Sequence, residues 1–320
     1  MNYGLPYQGS KNRIAKRLVE TLPAAPVLYD VFCGGCAVTH AAVLSGKYQR
    51  FVINDLRGWL PDAFQKAIHG GYAHEDKWIS REDFERLRST DAYAAMCFSF
   101  GYDCQSYMYA RGLEPYKRAL HYAIFWRDFA PWAALCPETA DALAAGLAPI
   151  EDRKQRRVQA GHFIVGSLRA QIAAGTLTPD ILDKPIYRQI RKVKDTSQSL
   201  QSLGNLERLQ SLESLESLPG ALTARSGDYR ELCFDEPGII YCDPPYKDTA
   251  DKSKDYADTS FDAEAFYSWC ERQALPVYIS EYQMPEERFV CVAEWDKVTT
   301  MASKTNSHVT ERLWRPRVQL

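Results

Sequence analysis

The chain has 320 residues, long for one compact domain, and its 46% hydrophobic and 25% charged residues are those of an ordinary globular protein. No apolar run approaches the ~18 residues of a membrane span, and the polar start from Met1 to Lys11 is unlike a secretory signal, so a cytoplasmic location and no membrane partner are expected. A formal net charge of −2 gives no bulk attraction for nucleic acid, and nine cysteines without a disulfide-framework spacing read as reduced thiols.

Val27 to Phe32 is a short apolar run ending in Cys33-Gly34-Gly35, a buried strand entering a tight turn. Ala37 to Leu44 reads as a helix, and Phe51 to Asn54 as a second strand ending at Asp55. Strand, glycine turn, helix, strand and acid is the order of a nucleotide-binding βαβ unit. Cys33 and Cys36 form a lone C-x-x-C with no second pair and no histidines at ligand spacing, so no metal is expected.

From about Gly58 to Thr223 the pattern is mostly helical. Within it, Glu151 to Asp195 holds ten Lys or Arg against five Asp or Glu, a stretch that suits either phosphates or a solvated helix face. Leucine recurs every third residue from Leu200 to Leu218. Three α-helical steps turn the chain about 300°, so such leucines drift around a helix; long 3₁₀ runs are uncommon, and the segment reads best as a short-unit expansion in a helical linker. Ile239 to Cys242 is another buried strand, ending at Asp243-Pro244-Pro245-Tyr246. Asp262 to Gln273 fits an amphipathic helix, Val277 to Ser280 a further strand, and Phe289 to Ala293 with Val309 to Trp314 an antiparallel pair. The expected organisation is a split α/β domain, 1–57 and 224–320, around a helical insertion, 58–223.

Asp243-Pro244-Pro245-Tyr246 follows a buried strand, where open α/β sheets place their ligands. The two prolines fix φ and remove amide donors, leaving carbonyl acceptors. A carboxylate, a rigid carbonyl and an aromatic face together suit the exocyclic amine of a planar ring.

That tetrapeptide resembles the catalytic motif of DNA adenine N6-methyltransferases, and the chain resembles the Dam-like D12 class of that family. Tyr7-Gln8-Gly9-Ser10-Lys11 is similar to its N-terminal motif. Asp30-Val31-Phe32-Cys33-Gly34-Gly35 is similar to its methionine-binding loop, Asn54-Asp55 to the acid after the second strand, and Gly227-Asp228-Tyr229 to the acidic-aromatic pair before the catalytic motif. Ile279-Ser280-Glu281-Tyr282 matches the strand after it. The family has Gly-x-Gly in the loop; here Cys36 takes the third position, which a negative φ would accommodate.

The resemblance implies a Rossmann-like S-adenosylmethionine-dependent methyltransferase sheet with an inserted, mainly helical target-recognition domain. It implies S-adenosylmethionine as cofactor, held by Tyr7, Gly9, Ser10, Lys11, Asp30, Phe32, Gly34, Gly35, Asp55, Asp228, Tyr229 and Asp243. Catalysis is implied for Asp243, Pro244, Pro245 and Tyr246, acting on adenine rotated out of double-stranded DNA. In the insertion, Gln105, Ser106, Tyr107, Arg111, Lys117 and Arg118 are the expected DNA contacts, and in the C-terminal loop Thr300, Lys304 and Asn306. A bacterial or phage origin, a monomer and a cognate restriction endonuclease as further partner complete the expectation. The alternatives are cytosine N4 methylation and a DNA-binding module with a vestigial pocket. An RNA or protein-glutamine methyltransferase would carry Asn where this chain has Asp243, and a dehydrogenase would carry Gly-x-Gly-x-x-Gly after the first strand.

Overall fold

The computed structural model describes residues 2–192, 201–216, 221–245, 261–299 and 307–320. The chain divides into two compact units, one of Met1–Gly71 with Leu212–Leu320 and one of Tyr72–Ser211. The first unit opens with α1 (Ala15–Thr21), β1 (Val27–Asp30), α2 (Ala37–Ser45), β2 (Arg50–Asp55) and α3 (Trp59–Ile68). All four β1 residues are buried, as expected of a strand covered on both faces of a parallel sheet. In α2, Ala37 through Val43 are all buried, small side chains but for His40.

The second unit is helical: α4 (Arg81–Leu87), α5 (Ala92–Cys97), α6 (Glu114–Phe125), α7 (Ala130–Leu135), α8 (Pro137–Leu147), α9 (Arg153–Ala173), α10 (Pro185–Lys192) and α11 (Gln201–Ser211). Side chains of Ser80, Asp91 and Asp152 cap α4, α5 and α9 by accepting the exposed first-turn amides. Trp132, Leu143, Ile164 and Tyr187 lie in one core cluster. The basic start of α9 belongs largely to this packing. Arg156 is buried and donates to the carbonyls of Ile124, Ile150 and Glu151, and Arg157 pairs with Glu207 at 2.8 Å.

The leucine repeat resolves into two helix types. Leu203, Leu206 and Leu209 are buried on α11, where a 300° step over three leucines spreads them across only about 120°, within one apolar face. The chain then tightens into a 3₁₀ turn, Leu212–Leu215, whose two leucines are also buried. Leu200 and Leu218 lie outside the described residues.

The first unit resumes with β3 (Ala221–Ser226), β4 (Gly238–Cys242), α12 (Ala263–Glu271), β5 (Val277–Glu281), β6 (Phe289–Thr299) and β7 (Ser307–Pro316). Asp262 caps α12 by accepting from the Ala265 amide. Together the strands form one seven-stranded sheet in the order β3-β2-β1-β4-β5-β7-β6. β1 is parallel to β2 and β4, β2 to β3, and β4 to β5, while β7 runs antiparallel to β5 and β6. This is a Rossmann-like α/β sheet finished by an antiparallel pair. β3 lies parallel to β2 along six registered pairs, so the sheet takes in residues whose half-exposed side chains hide a strand from periodicity. Strand order reverses between β1 and β4, and a ligand crevice lies at such a reversal, beyond the carboxyl ends of the strands.

Candidate active site at the carboxyl ends of the strands

Asp30 ends β1 and Asp243 follows β4, so the switch point sets these two acids side by side on neighbouring strands. Asp30 is buried, and its Oδ2 accepts from Thr39 Oγ1 at 2.6 Å, while Oδ1 has no hydrogen-bond partner in the structure. Burial pushes the Asp30 carboxyl up to about 7 against the Thr39 hydroxyl, and the charges of Asp243 and Asp55 push the same way.

The turn after β1 is tied to β2. Cys33 N donates to Asn54 O, Asn54 Nδ2 donates to the carbonyls of Val31 and Gly227, and Gly34 N donates to Asp55 Oδ2 at 2.9 Å. Gly34 has φ +47°, in the left-handed region that glycine enters without strain. A Cβ on Gly35 would stand 2.8 Å from the Tyr7 Cβ, so Tyr7 packs directly on the loop, and its hydroxyl accepts from Arg57. The N-terminal segment is fastened there by Leu5 N to Gly35 O at 2.7 Å and Gly4 N to His40 Nδ1 at 2.9 Å. Ser10 belongs to this segment, and its Oγ is buried without a partner; Gly9, beside it, has φ +78°.

Cys36 is left-handed too, with φ +55°, and starts α2. The negative φ that would accommodate a cysteine is therefore not found: the position carries a buried Cβ in a conformation that costs L-residues roughly 1–2 kcal/mol.

Lys11 reaches across the switch point. Its Nζ lies 2.6 Å from Asp243 Oδ1 and 3.4 Å from Glu311 Oε1, on β7. Burial works against the ammonium, yet Asp243 and then Glu311 hold it above the ordinary lysine range. Glu281, at the end of β5, is also buried beside them. Burial lifts its carboxyl to about 8, and the Asp243 charge adds to this. Neither glutamate stood among the expected site residues. A signal existed for Glu311: it sits at an inward position of β7, two residues before the buried Leu313, where alternation calls for an apolar side chain.

Asp55 is half-buried and accepts the Gly34 and Arg57 amides, one on each oxygen; burial lifts its carboxyl and these two bonds oppose the rise. Asp228 caps the short turn Tyr229–Glu231, with Oδ1 accepting from Arg230 N and Nε and Oδ2 from Arg230 Nη2. Those bonds hold its carboxyl below the ordinary range. Tyr229 packs at 5.2 Å from Phe32 and 5.1 Å from Trp269, with Phe261 and Phe266 in the same cluster, giving the crevice an aromatic wall. Pro244 and Pro245 follow Asp243 directly; Tyr246, Thr300, Lys304 and Asn306 lie outside the described residues.

In the helical unit, the segment after α5 turns back as a hairpin. Ser99 pairs with Tyr107, Phe100 N donates to Ser106 O, and Met108 N to Phe98 O. Its tip holds three left-handed residues, Gly101, Tyr102 and Cys104, and exposes Phe100 by 66%. Gln105, Ser106, Arg111 and Arg118 are exposed. Tyr107 and Lys117 are not surface contacts. Tyr107 is buried with its hydroxyl donating to Ile79 O at 2.8 Å, and Lys117 is wholly buried on the inner face of α6, where burial pulls its ammonium down to about 7.

These side chains fit S-adenosylmethionine. Asp30 Oδ1 and Ser10 Oγ are buried acceptors awaiting donors, and Asp30, Asp55 and Asp243 give the crevice the negative field a sulfonium and an α-ammonium require. Among the described residues no group of three or more metal-ligating side chains forms.

Residues 7–110 match the family model of the D12 class N6 adenine-specific DNA methyltransferases. That stretch of the chain is similar to this class of methyltransferase. The match covers about a third of the chain's length and takes in Lys11, the Gly34 loop, Asp55 and the hairpin. Among solved structures, the chain is similar to a putative methylase from Haemophilus influenzae, at 10% identity and TM-score 0.29 over 97% of this chain and 90% of that one. It is also similar to the rRNA methyltransferase AviRa from Streptomyces viridochromogenes, at 13% identity and TM-score 0.34 over 97% and 86%. Both likenesses are loose, and the fold stands on its own sheet order. No curated protein sequence matches the chain. Among the described residues, no helix is long and apolar enough to cross a membrane.

Proposed function

We propose that this methyltransferase uses S-adenosylmethionine to methylate the N6 amine of adenine in double-stranded DNA, with the base rotated out of the helix. The observation that carries the reading is the seating of Asp243 at the end of β4, held by Lys11 and followed by two prolines. Asp243 accepts one N6–H and the Pro244 carbonyl the other, which shifts lone-pair density from the ring towards the nitrogen. Tyr246 supplies the stacking face. S-adenosylmethionine, when bound, brings an activated methyl group and its own leaving group. The protein's work is therefore positioning and electrostatics. Asp30 and Ser10 take the methionine end, Asp55 the ribose hydroxyls, and the Phe32 and Tyr229 wall the adenosyl ring. Asp228 serves that ring's amine once Arg230, 63% exposed, swings aside. The amine's surplus proton leaves through Asp243 to water.

The helical unit recognises the target in this reading. Its hairpin offers an exposed aromatic on a backbone fixed by three left-handed residues, suited to wedge between bases. Gln105, Ser106, Arg111 and Arg118 contact DNA, as do Thr300, Lys304 and Asn306 of the C-terminal loop.

The test is methyl transfer from labelled S-adenosylmethionine to unmethylated bacterial DNA, followed by nucleoside analysis, beside Asp243→Ala. N6-methyladenine from the wild type alone supports the reading. N4-methylcytosine would move the target to cytosine, and a protein that binds cofactor without labelling DNA would sink it.

A further inference from the structure

Two carboxylates, the half-buried Asp243 and the wholly buried Glu311, share the ammonium of Lys11, at 2.6 and 3.4 Å. Asp243 alone of the two adjoins the prolines of the catalytic motif; Glu311 comes from β7, and its side chain is wholly buried. The arrangement is asymmetric in charge. One ammonium with one carboxylate is a neutral pair, and an acceptor so paired has lost much of its pull on a substrate N–H. One ammonium between two carboxylates leaves a net charge of −1, in a site where burial makes charges act strongly on one another.

Resting on the activity proposed above, we propose that Glu311 is a positioning residue. It draws part of the Lys11 charge to itself, so that Asp243 is held in place by Lys11 yet stays anionic enough to accept from the target amine. The groups around Lys11 fit this division. Glu281 comes from β5 and Tyr282 follows it, and burial keeps Glu281 largely protonated at neutral pH. It therefore adds little negative charge there, and Glu311 stands beside Asp243 as the second anionic partner of Lys11. Glu311 touches neither base nor cofactor in this arrangement and acts through Lys11.

The experiment compares wild type, Glu311→Gln, Glu311→Asp, Lys11→Met and the Lys11→Met/Glu311→Gln double variant. It measures kcat and KM on unmethylated bacterial DNA, cofactor Kd by calorimetry, and melting temperature. Glu311→Gln keeps shape and loses charge. We expect its kcat to fall roughly tenfold to a hundredfold, less than loss of a donor touching the transition state, with KM for DNA and cofactor Kd within about twofold of wild type. Glu311→Asp should recover part of kcat, and the double variant should be no slower than Lys11→Met alone. Unchanged kcat in Glu311→Gln would overturn the proposal. So would a fall in kcat matched by lost cofactor affinity and melting temperature, since that is a packing role. Wild type without N6-methyladenine product would instead remove the activity on which the proposal stands.

Discussion

Lys11 Nζ sits 2.6 Å from Asp243 Oδ1 across 232 residues of chain. The pair joins the N-terminal segment to the Asp243-Pro244-Pro245 turn after β4, and both side chains are largely out of water. Removing the ammonium leaves Asp243 and Glu311 without their shared counter-charge. Lys11→Met should therefore lower stability by about 3 kcal/mol, in the range for breaking a buried pair, and reduce kcat more than a hundredfold. Chemical denaturation and single-turnover methylation read the two losses separately.

Asp30 carries a pH signature. Its folded carboxyl titrates near 7 against an ordinary 3.8, because burial favours the neutral form. The folded apo-protein keeps a proton that the unfolded chain has released, so this group's contribution to stability falls as pH rises from about 4 to 7. A cationic cofactor binds the ionised form, so S-adenosylmethionine should bind roughly tenfold tighter at pH 8 than at pH 6. Titration calorimetry across that range checks it, and Asp30→Asn should flatten the slope. A slope unchanged in Asp30→Asn would rule out Asp30 as the cation's partner.

Lys117 has the opposite slope. Burial lowers its folded value to about 7 from 10.5, so the unfolded chain holds more protons between those values. Its contribution makes the protein more stable as pH rises through that window. Lys117→Met should remove the dependence and leave DNA binding within about twofold of wild type. A large loss of DNA affinity in this variant would contradict the buried position.

At Cys36 the left-handed backbone separates glycine from every other residue. Cys36→Gly relieves the strain but loosens the unfolded chain, and Cys36→Ala keeps the strain. The glycine variant should be more stable than the alanine variant by about 1 kcal/mol, read from denaturant midpoints, and should bind cofactor at least as tightly as wild type. Equal stability of the two would argue against a left-handed residue at this position.

Phe100 and Tyr107, seven residues apart on one hairpin, should respond differently. Phe100→Ala removes an exposed ring and should change stability by less than about 0.5 kcal/mol while weakening DNA binding or turnover. Tyr107→Phe loses the bond to Ile79 O and should cost about 1 kcal/mol with DNA affinity kept. Parallel melting curves and DNA titrations distinguish them.

Much of this is legible in the sequence. Local cues placed β1, β2, β4 and β5, because each is a short apolar run closed by an acid, a glycine or a proline. Asp262 marked the start of α12 because a cap is chemistry between near neighbours. What stayed hidden depends on distant partners. β3 is half-exposed, so alternation does not announce it, and only its pairing with β2 makes it a strand. Tyr107 and Lys117 look like surface polar residues until α6 and its surroundings bury them. Glu311 looks like any strand glutamate until Lys11 arrives from the far end of the chain. The leucine repeat misled for a different reason: a helix of 11 residues is too short for the drift to carry its leucines out of one face.

Because Glu311 stands on β7 and Lys11 precedes β1, the site is assembled from segments made long before and long after the helical unit. A nascent chain has Lys11 and the Gly34 loop early and Asp243 late, and it lacks the strand that carries Glu311 until β7 has emerged. Closing contacts of such separation are slow to form. A chain released before β7 is therefore expected to be silent, so premature release carries its own safeguard.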